Sequence, residues 1–112
     1  MSILKNAERA IIDERKVRDY LLTPLHARGG HKARMLAAAL GYRRFHHARL
    51  IQQLREGILR YEAVPIDHMS HGERFRVEIP ITGTAGSAIV RTLWIIRTDE
   101  DVPRLTSAYP IK

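Results

Sequence analysis

The sequence predicts an α+β domain in which N-terminal helices pack on a four-stranded, mostly antiparallel sheet. Apolar residues recur at helical spacing in the first half of the chain, and apolar and polar residues alternate in the second half. The length of 112 residues suits one domain with a modest core, and no linker or low-complexity stretch divides it. We therefore predict a single domain, 1–112, with a lead-in segment at 1–10, a helical half at 11–60 and a sheet half at 61–112.

Three helices are predicted from apolar periodicity and end signals. Asp13 can cap the first helix because its carboxylate accepts backbone N–H groups of the first turn, and Pro24 stops that helix. Gly41 suits the position just after the second helix. Ile11 and Ile12 form either a short extended piece or a hydrophobic staple. The predicted helices cover Glu14–Leu22, His31–Leu40 and Arg44–Leu59.

Alternating apolar and polar residues predict four strands. The third strand is apolar on both faces, so we expect it to be central in the sheet. Alternation places Arg91 on one face of this strand and Trp94 on the other, where Trp94 joins the core. The segment TGTAGS is a hairpin turn. The predicted strands cover 61–67, 74–82, Ala88–Arg97 and Arg104–Tyr109.

The charge of the chain is strongly basic and unevenly distributed. Nineteen Lys and Arg against 12 Asp and Glu give a net charge of +7. Residues 1–60 hold 13 basic and 5 acidic residues, whereas residues 61–112 hold 6 and 7, so the excess lies in the helical half. This basic surface either only keeps the protein soluble or contacts the phosphates of a polyanion.

The composition excludes several classes of site. The chain has no cysteine, which excludes disulfides, thiol nucleophiles, zinc fingers and iron–sulfur clusters. His46 and His47 are adjacent and would point about 100° apart on a helix, so we expect no metal site and no cofactor. No apolar run approaches the ~20 residues of a membrane span, and MSILKNAERA does not read as a signal peptide. We therefore expect a cytoplasmic protein without a membrane partner.

The segment HARGGHK brings an imidazole, cations and two glycines to the entry of the second helix. The imidazole of His26 titrates near neutral pH and can move a proton, while Arg28 and Lys32 can attract an anion near the free N–H groups of a helix start. The segment therefore suits phosphate chemistry. Plain turn chemistry explains it equally simply.

Arg91 lies among apolar residues, where a guanidinium is costly unless it is paired or faces a cleft. It either forms a salt bridge with Glu78 across the hairpin or clamps a phosphate on an open sheet face. Hydroxyls lie nearby on Thr92, Thr106 and Tyr109, although hydroxyls in strands mostly serve packing.

Five segments are similar, in order and spacing, to a bacterial domain family that resembles the C-terminal toxin modules of contact-dependent inhibition and other polymorphic toxins. The segments are DYLLTPLHARGGHKARMLAAALGY, LIQQLREGIL, RFRVEIPITG, AIVRTLWIIR and DVPRLTSAYPI. That family is similar to the barnase/EndoU/colicin/RelE group of metal-independent ribonucleases, whose helices precede a four-stranded antiparallel sheet. The family pattern has proline after the first histidine, where this chain has Ala27.

The resemblance implies RNA cleavage by attack of the 2′-hydroxyl on its own phosphodiester. It implies His26 as acid or base, Lys32 as phosphate stabiliser and Arg91 as phosphate clamp, with Thr92 or Thr106 donating hydrogen bonds. Further RNA contacts are expected from the basic residues near these positions and from one tyrosine: Arg28, His31, Arg34, Arg74, Arg76 and Tyr109. The implied substrate is tRNA or mRNA, and the implied partner is a small acidic antitoxin or immunity protein.

Two alternatives remain open. A non-catalytic module that binds nucleic acid or a partner protein has the same basic charge but no turnover. A structural or interaction protein would instead pair an exposed strand edge with a copy or a partner.

Overall fold

The computed structural model describes residues 2–22 and 30–112 and confirms the α+β class. In that part of the chain, three helices precede a sheet whose four antiparallel strands lie in the order β1-β2-β3-β4. Single helical turns at Ala7–Arg9 and Arg44–His46 supplement the three helices. The elements are α1 (Glu14–Lys16, continued by Val17–Leu21), α2 (Gly30–Leu40), α3 (His47–Ile58), β1 (Ala63–Met69), β2 (Gly72–Thr82), β3 (Ser87–Arg97) and β4 (Pro103–Pro110).

Helix α1 begins as predicted and then widens. The Asp13 Oδ1 accepts the backbone N–H of Arg15 at 2.9 Å, which confirms the predicted cap. From Val17 to Leu21 the helix is a π-helix, and the N–H of Leu22 donates to the carbonyl of Val17 at 3.0 Å. Val17 and Leu21 are nevertheless both fully buried, so the widened turn keeps the predicted apolar face.

The hairpin between β2 and β3 packs against the end of α2. Gly41 follows α2 with a φ of 74°, a conformation that favours glycine, and a Cβ there would lie 2.5 Å from the Thr84 hydroxyl. The backbone N–H of Ala85 donates to the carbonyl of Leu40 at 2.9 Å. The hairpin thus satisfies one of the carbonyls left unpaired at the helix end.

The core lies between the helices and one face of the sheet, which we call the inner face. Helix α3 approaches β2 closely at Gly57, where a Cβ would lie 2.5 Å from the Ile79 side chain. Trp94 is fully buried on β3, as alternation predicts. The main buried side chains of this layer are Leu50, Leu54, Ile58, Val77, Ile79, Ile81, Val90 and Trp94. The opposite, outer face of the sheet carries Arg91 and its neighbours.

The two edges of the sheet are protected in different ways. The N-terminal segment runs beside β4, where the N–H of Ile11 donates to the carbonyl of Pro103 at 2.8 Å and the N–H of Leu105 donates back at 3.0 Å. Ile11 is therefore an extended piece. At the other edge, β1 contains Pro65 and a register shift between Pro65 and Asp67. A proline and a bulge both hinder pairing of an edge with another strand.

Asp19 on α1 holds the turn that precedes α3. Its Oδ1 accepts from Arg18 Nε at 3.0 Å and from Arg44 Nη2 at 2.8 Å. Hydrogen bonds from Arg18 and then Arg44 lower the pKa of Asp19 from its usual 3.8 to about 2. The ionised carboxylate of Asp19 therefore links α1 to the helical turn before α3.

This lowered pKa predicts a pH-dependent contribution of Asp19 to stability. Because the folded-state pKa is depressed, the contribution is present above pH 3.8 and is lost as the pH falls toward about 2. We expect Asp19→Asn to lower Tm at about pH 6, and this Tm difference to shrink steadily below about pH 4. Circular dichroism melts across the range measure it. The exposed Asp99→Asn serves as control, and a Tm difference for Asp19→Asn that stays constant down to pH 2 would contradict the assignment.

Candidate functional site

Three side chains form a row across the outer face of the sheet. Arg91 on β3 pairs directly with Glu78 on β2 and with Tyr109 on β4. Residues directly opposite each other in an antiparallel pair project to the same face of the sheet. The row therefore places a carboxylate, a guanidinium and a phenol side by side on the face turned away from α3.

Arg91 is paired, as one of the two predicted alternatives requires. Its Nε and Nη2 donate to the Glu78 Oε2 at 3.0 and 2.7 Å. Hydrogen bonding to Glu78, and to a smaller extent to Tyr109, raises the pKa of Arg91 above its usual value. The Arg91 side chain keeps 34% of its surface exposed, so a ligand on the outer face can still reach the guanidinium.

Lys32 joins this row from the helical half. It lies on the first turn of α2, which packs beside β4, and its Nζ donates to the Ser107 Oγ at 2.9 Å. The same Nζ lies 5.1 Å from the centroid of the Tyr109 ring, a cation–π distance. Lys32 and Arg91 thus flank Tyr109 from two sides. We call Lys32, Glu78, Arg91, Ser107 and Tyr109 the Lys32–Arg91 cluster.

Two predicted hydroxyl residues lie outside the Lys32–Arg91 cluster. Thr92 is completely buried on the inner face, where its Oγ1 donates to the Val77 carbonyl and accepts from the Trp94 Nε1, each at 2.7 Å. Thr92 therefore cannot meet a ligand on the outer face, and the structure corrects its predicted catalytic role to a structural one.

Thr106 occupies the register shift between β3 and β4. Its Oγ1 donates to the Leu93 carbonyl at 3.0 Å, and its side chain lines a separate open pocket of about 590 Å³ together with His71 and Arg97. The structure thus places Thr106 beside Leu93 in the middle of β3, and the pocket that it lines does not include Arg91. A hydroxyl already committed to a backbone carbonyl is a poor donor to a phosphate.

The remaining predicted RNA contacts are spread over two surfaces. Arg74 on β2 holds Asp67 with two hydrogen bonds, of 2.9 and 2.6 Å. Arg76 lies closer to the Lys32–Arg91 cluster, with its Nε 3.8 Å from Glu78 Oε2. The exposed residues His31 and Arg34 lie on α2 beside Lys32. His26 and Arg28 lie outside the described residues.

The Lys32–Arg91 cluster combines the groups that phosphate chemistry uses. Two cations can offset charge on a phosphate and, above all, the extra charge that develops in a transition state. The carboxylate of Glu78 can accept a proton, and the hydroxyl of Tyr109 can donate or accept a hydrogen bond. Sequence reasoning missed Ser107 as the anchor of Lys32, since only the packing of α2 beside β4 brings them together.

Residues 3–112 match the model of a family described as domain of unknown function (DUF6883). The chain belongs to this family. No curated protein and no solved structure matches it. In the described residues of this DUF6883 domain, no helix is long and apolar enough to cross a membrane. Those residues also contain no group of three or more His, Asp or Glu side chains placed to hold a metal ion.

Proposed function

We propose that this domain is a metal-independent ribonuclease that cleaves tRNA or mRNA at the Lys32–Arg91 cluster. The observation that carries the proposal is the convergence of Lys32 and Arg91 on Tyr109, on the outer face of the sheet. These two cations come from distant parts of the chain and meet beside a phenol. The net charge of +7 adds a long-range attraction for RNA.

In the proposed reaction, the 2′-hydroxyl of one nucleotide attacks the adjacent phosphorus. A bond forms between this oxygen and phosphorus, the bond from phosphorus to the 5′-oxygen breaks, and the products are a 2′,3′-cyclic phosphate and a 5′-hydroxyl. The pentavalent transition state carries extra negative charge, which Lys32 and Arg91 stabilise. Removing one such charge stabiliser costs on the order of 100-fold or more in rate.

The reaction also moves two protons. One leaves the attacking 2′-hydroxyl and one reaches the departing 5′-oxygen. Glu78 is the carboxylate of the Lys32–Arg91 cluster and is proposed to accept the first proton; its Oε2 accepts hydrogen bonds from Arg91. His26, six residues before Lys32 in the chain, is the proposed donor of the second.

The resemblance to polymorphic toxin modules supports the same function and suggests a partner. A toxin that cleaves RNA must be neutralised in the cell that makes it. A basic toxin surface favours a small acidic antitoxin or immunity protein, because opposite charges speed association and fix orientation. We therefore propose such a protein as the natural inhibitor of the domain.

A non-catalytic RNA-binding module is the second candidate function. One observation favours it: Arg91 is already held by Glu78, as a purely structural ion pair would be. Such a module would bind RNA without cutting it. Its affinity for RNA would fall steeply as the salt concentration rises. A plot of log affinity against log salt concentration would have a slope of about −0.7 per phosphate contact for single strands.

The deciding experiment incubates the purified protein with total RNA in the presence of EDTA. We expect fragments that end in a 2′,3′-cyclic phosphate, and we expect His26→Ala to slow their formation about 100-fold because it removes the proton donor. The matched control is His68→Ala, which removes an exposed histidine of β1. Intact RNA with the parent protein would overturn the ribonuclease proposal. Equal rates for the parent and His26→Ala would remove His26 from the mechanism.

A further inference from the structure

We propose a second RNA contact, a stacking site for an unpaired base on Phe45. The site lies in the helical turn Arg44–His46, between α2 and α3, and is separate from the Lys32–Arg91 cluster. The inference rests on the proposed RNA-directed function, because it assigns to the same substrate a second point of attachment. Its ligand class is single-stranded RNA.

Phe45 is unusually exposed for its size. It keeps 75% of its surface in water, whereas Leu59, the next most exposed large apolar residue among residues 2–22 and 30–112, keeps 52%. Exposed single apolar residues are common and need no function by themselves. A binding role for Phe45 therefore depends on the groups around its ring.

The ring of Phe45 is backed by a row of rings that leads into the core. The His46 ring lies 4.2 Å from it, centroid to centroid, and Tyr42 lies 5.4 Å beyond His46. The Nδ1 of His46 accepts the backbone N–H of Arg43 at 2.9 Å, which fixes the imidazole. Tyr42 is 1% exposed and donates to the Thr82 carbonyl at 2.9 Å. Phe45 is thus presented on a support that loses little conformational freedom when a base binds.

Basic side chains lie beside this ring. Arg18, Arg44 and His47 line an open pocket of about 470 Å³ beside Phe45. Arg49 lies 5.8 Å from the Tyr42 ring, on the same basic segment. Two carboxylates pair with these side chains: Asp19 accepts from both Arg18 and Arg44, and Glu14 lies 2.9 Å from His47. The segment RRFHHAR that contains Phe45 has no acidic residue.

An exposed aromatic ring in a basic surface is the combination that proteins use for single-stranded nucleic acid. The ring stacks on a base of any sequence, and the cations follow the backbone phosphates. A pocket beside the ring leaves room for the base, and the basic surroundings favour a phosphate backbone over an uncharged peptide. Lys32 lies on the first turn of α2 and Phe45 lies five residues after its last residue, so a helix about 16 Å long stands between the two sites.

The test measures the affinity for a fluorescent oligouridylate of about 12 nucleotides, within the usual size of single-strand sites. Its sugars carry 2′-O-methyl groups, so attack by the 2′-oxygen is blocked. We expect Phe45→Ala to weaken binding about tenfold, the loss of one stacked base, and Phe45→Trp to retain it. The slope of log affinity against log salt should stay unchanged, because the phosphate contacts remain. Tyr61→Ala, an exposed aromatic residue beyond the other end of α3, is the matched control.

The outcomes separate this inference from the proposed function. If Phe45→Ala binds as tightly as the parent, the stacking site is overturned, even where the parent cleaves natural RNA. If Phe45→Ala weakens binding but the parent leaves natural RNA intact, the stacking site stands and the ribonuclease proposal fails. No binding of the oligomer by the parent overturns the stacking site, and a Phe45-dependent complex with an acidic protein alone would assign Phe45 to protein recognition. Melting curves of both Phe45 variants should match that of the parent, since the ring is largely exposed.

Discussion

Replacing Lys32 or Arg91 with alanine is expected to slow RNA cleavage about 100-fold, the usual cost of removing one stabiliser of transition-state charge. The two cations reach Tyr109 from different elements, Lys32 from α2 and Arg91 from β3, so we expect that neither substitutes for the other. Initial rates on a single-stranded RNA substrate, measured in EDTA at saturating concentration, give kcat directly. A loss in kcat rather than an increase in KM indicates that the charge acts in the transition state.

The chain provides a closely matched control for Arg91. Arg104 also holds a carboxylate with its Nε and Nη2, here Glu100 at 2.8 and 2.7 Å, and its side chain is 31% exposed against 34% for Arg91. We expect Arg104→Ala to leave kcat within about twofold of the parent, because it lacks a neighbour such as Lys32. Equal losses for Arg91→Ala and Arg104→Ala would show that a lost ion pair, rather than catalysis, explains the effect.

Replacing Thr92 with valine is expected to lower the free energy of unfolding by about 2 kcal/mol, because it leaves the buried Trp94 N–H without an acceptor. The valine fits the same space, so the loss reports the hydrogen bonds rather than a cavity. Urea denaturation followed by circular dichroism measures it. The residual folded protein should cleave RNA at the parent rate, in keeping with the structural role of Thr92 on the inner face.

A double-mutant cycle isolates the contact between the two side chains. Trp94→Phe removes the N–H that Thr92 accepts, so Thr92→Val should cost less in that background than in the parent. The two losses would be strictly additive if Thr92 and Trp94 did not interact. Loss of cleavage by Thr92→Val without loss of stability would restore its predicted catalytic role.

Local patterns predicted the elements well because each depends on nearby residues. The strict alternation along β3 correctly separated Arg91 from Trp94, and Asp13 and Gly41 marked helix ends through their own side-chain and backbone chemistry. The same alternation puts Thr92, two residues before Trp94, on the face of Trp94. The family resemblance assigned it a catalytic role that its face of the strand does not allow.

The features that escaped prediction depend on contacts between distant segments. Lys32 reaches Ser107 only because α2 packs beside β4, and these residues lie 75 positions apart. The register shift at Thr106 is a property of the paired strands and changes no single-strand pattern. The π-helical turn at Val17–Leu21 keeps the same apolar spacing as an α-helix would over so short a stretch.

The pairing of the N-terminal segment with β4 also constrains how the domain folds during synthesis. Ile11 can pair only after β4 has been synthesised. Likewise, the side chain of Asn6 donates to the carbonyl of Asp101, 95 residues further on. Contacts of such long range close slowly because the chain between them must first be ordered. While the ribosome makes the helices, the segment that will line the sheet edge therefore has no partner. The Lys32–Arg91 cluster, which needs Ser107 and Tyr109 from that same strand, therefore assembles only after β4 has emerged from the ribosome.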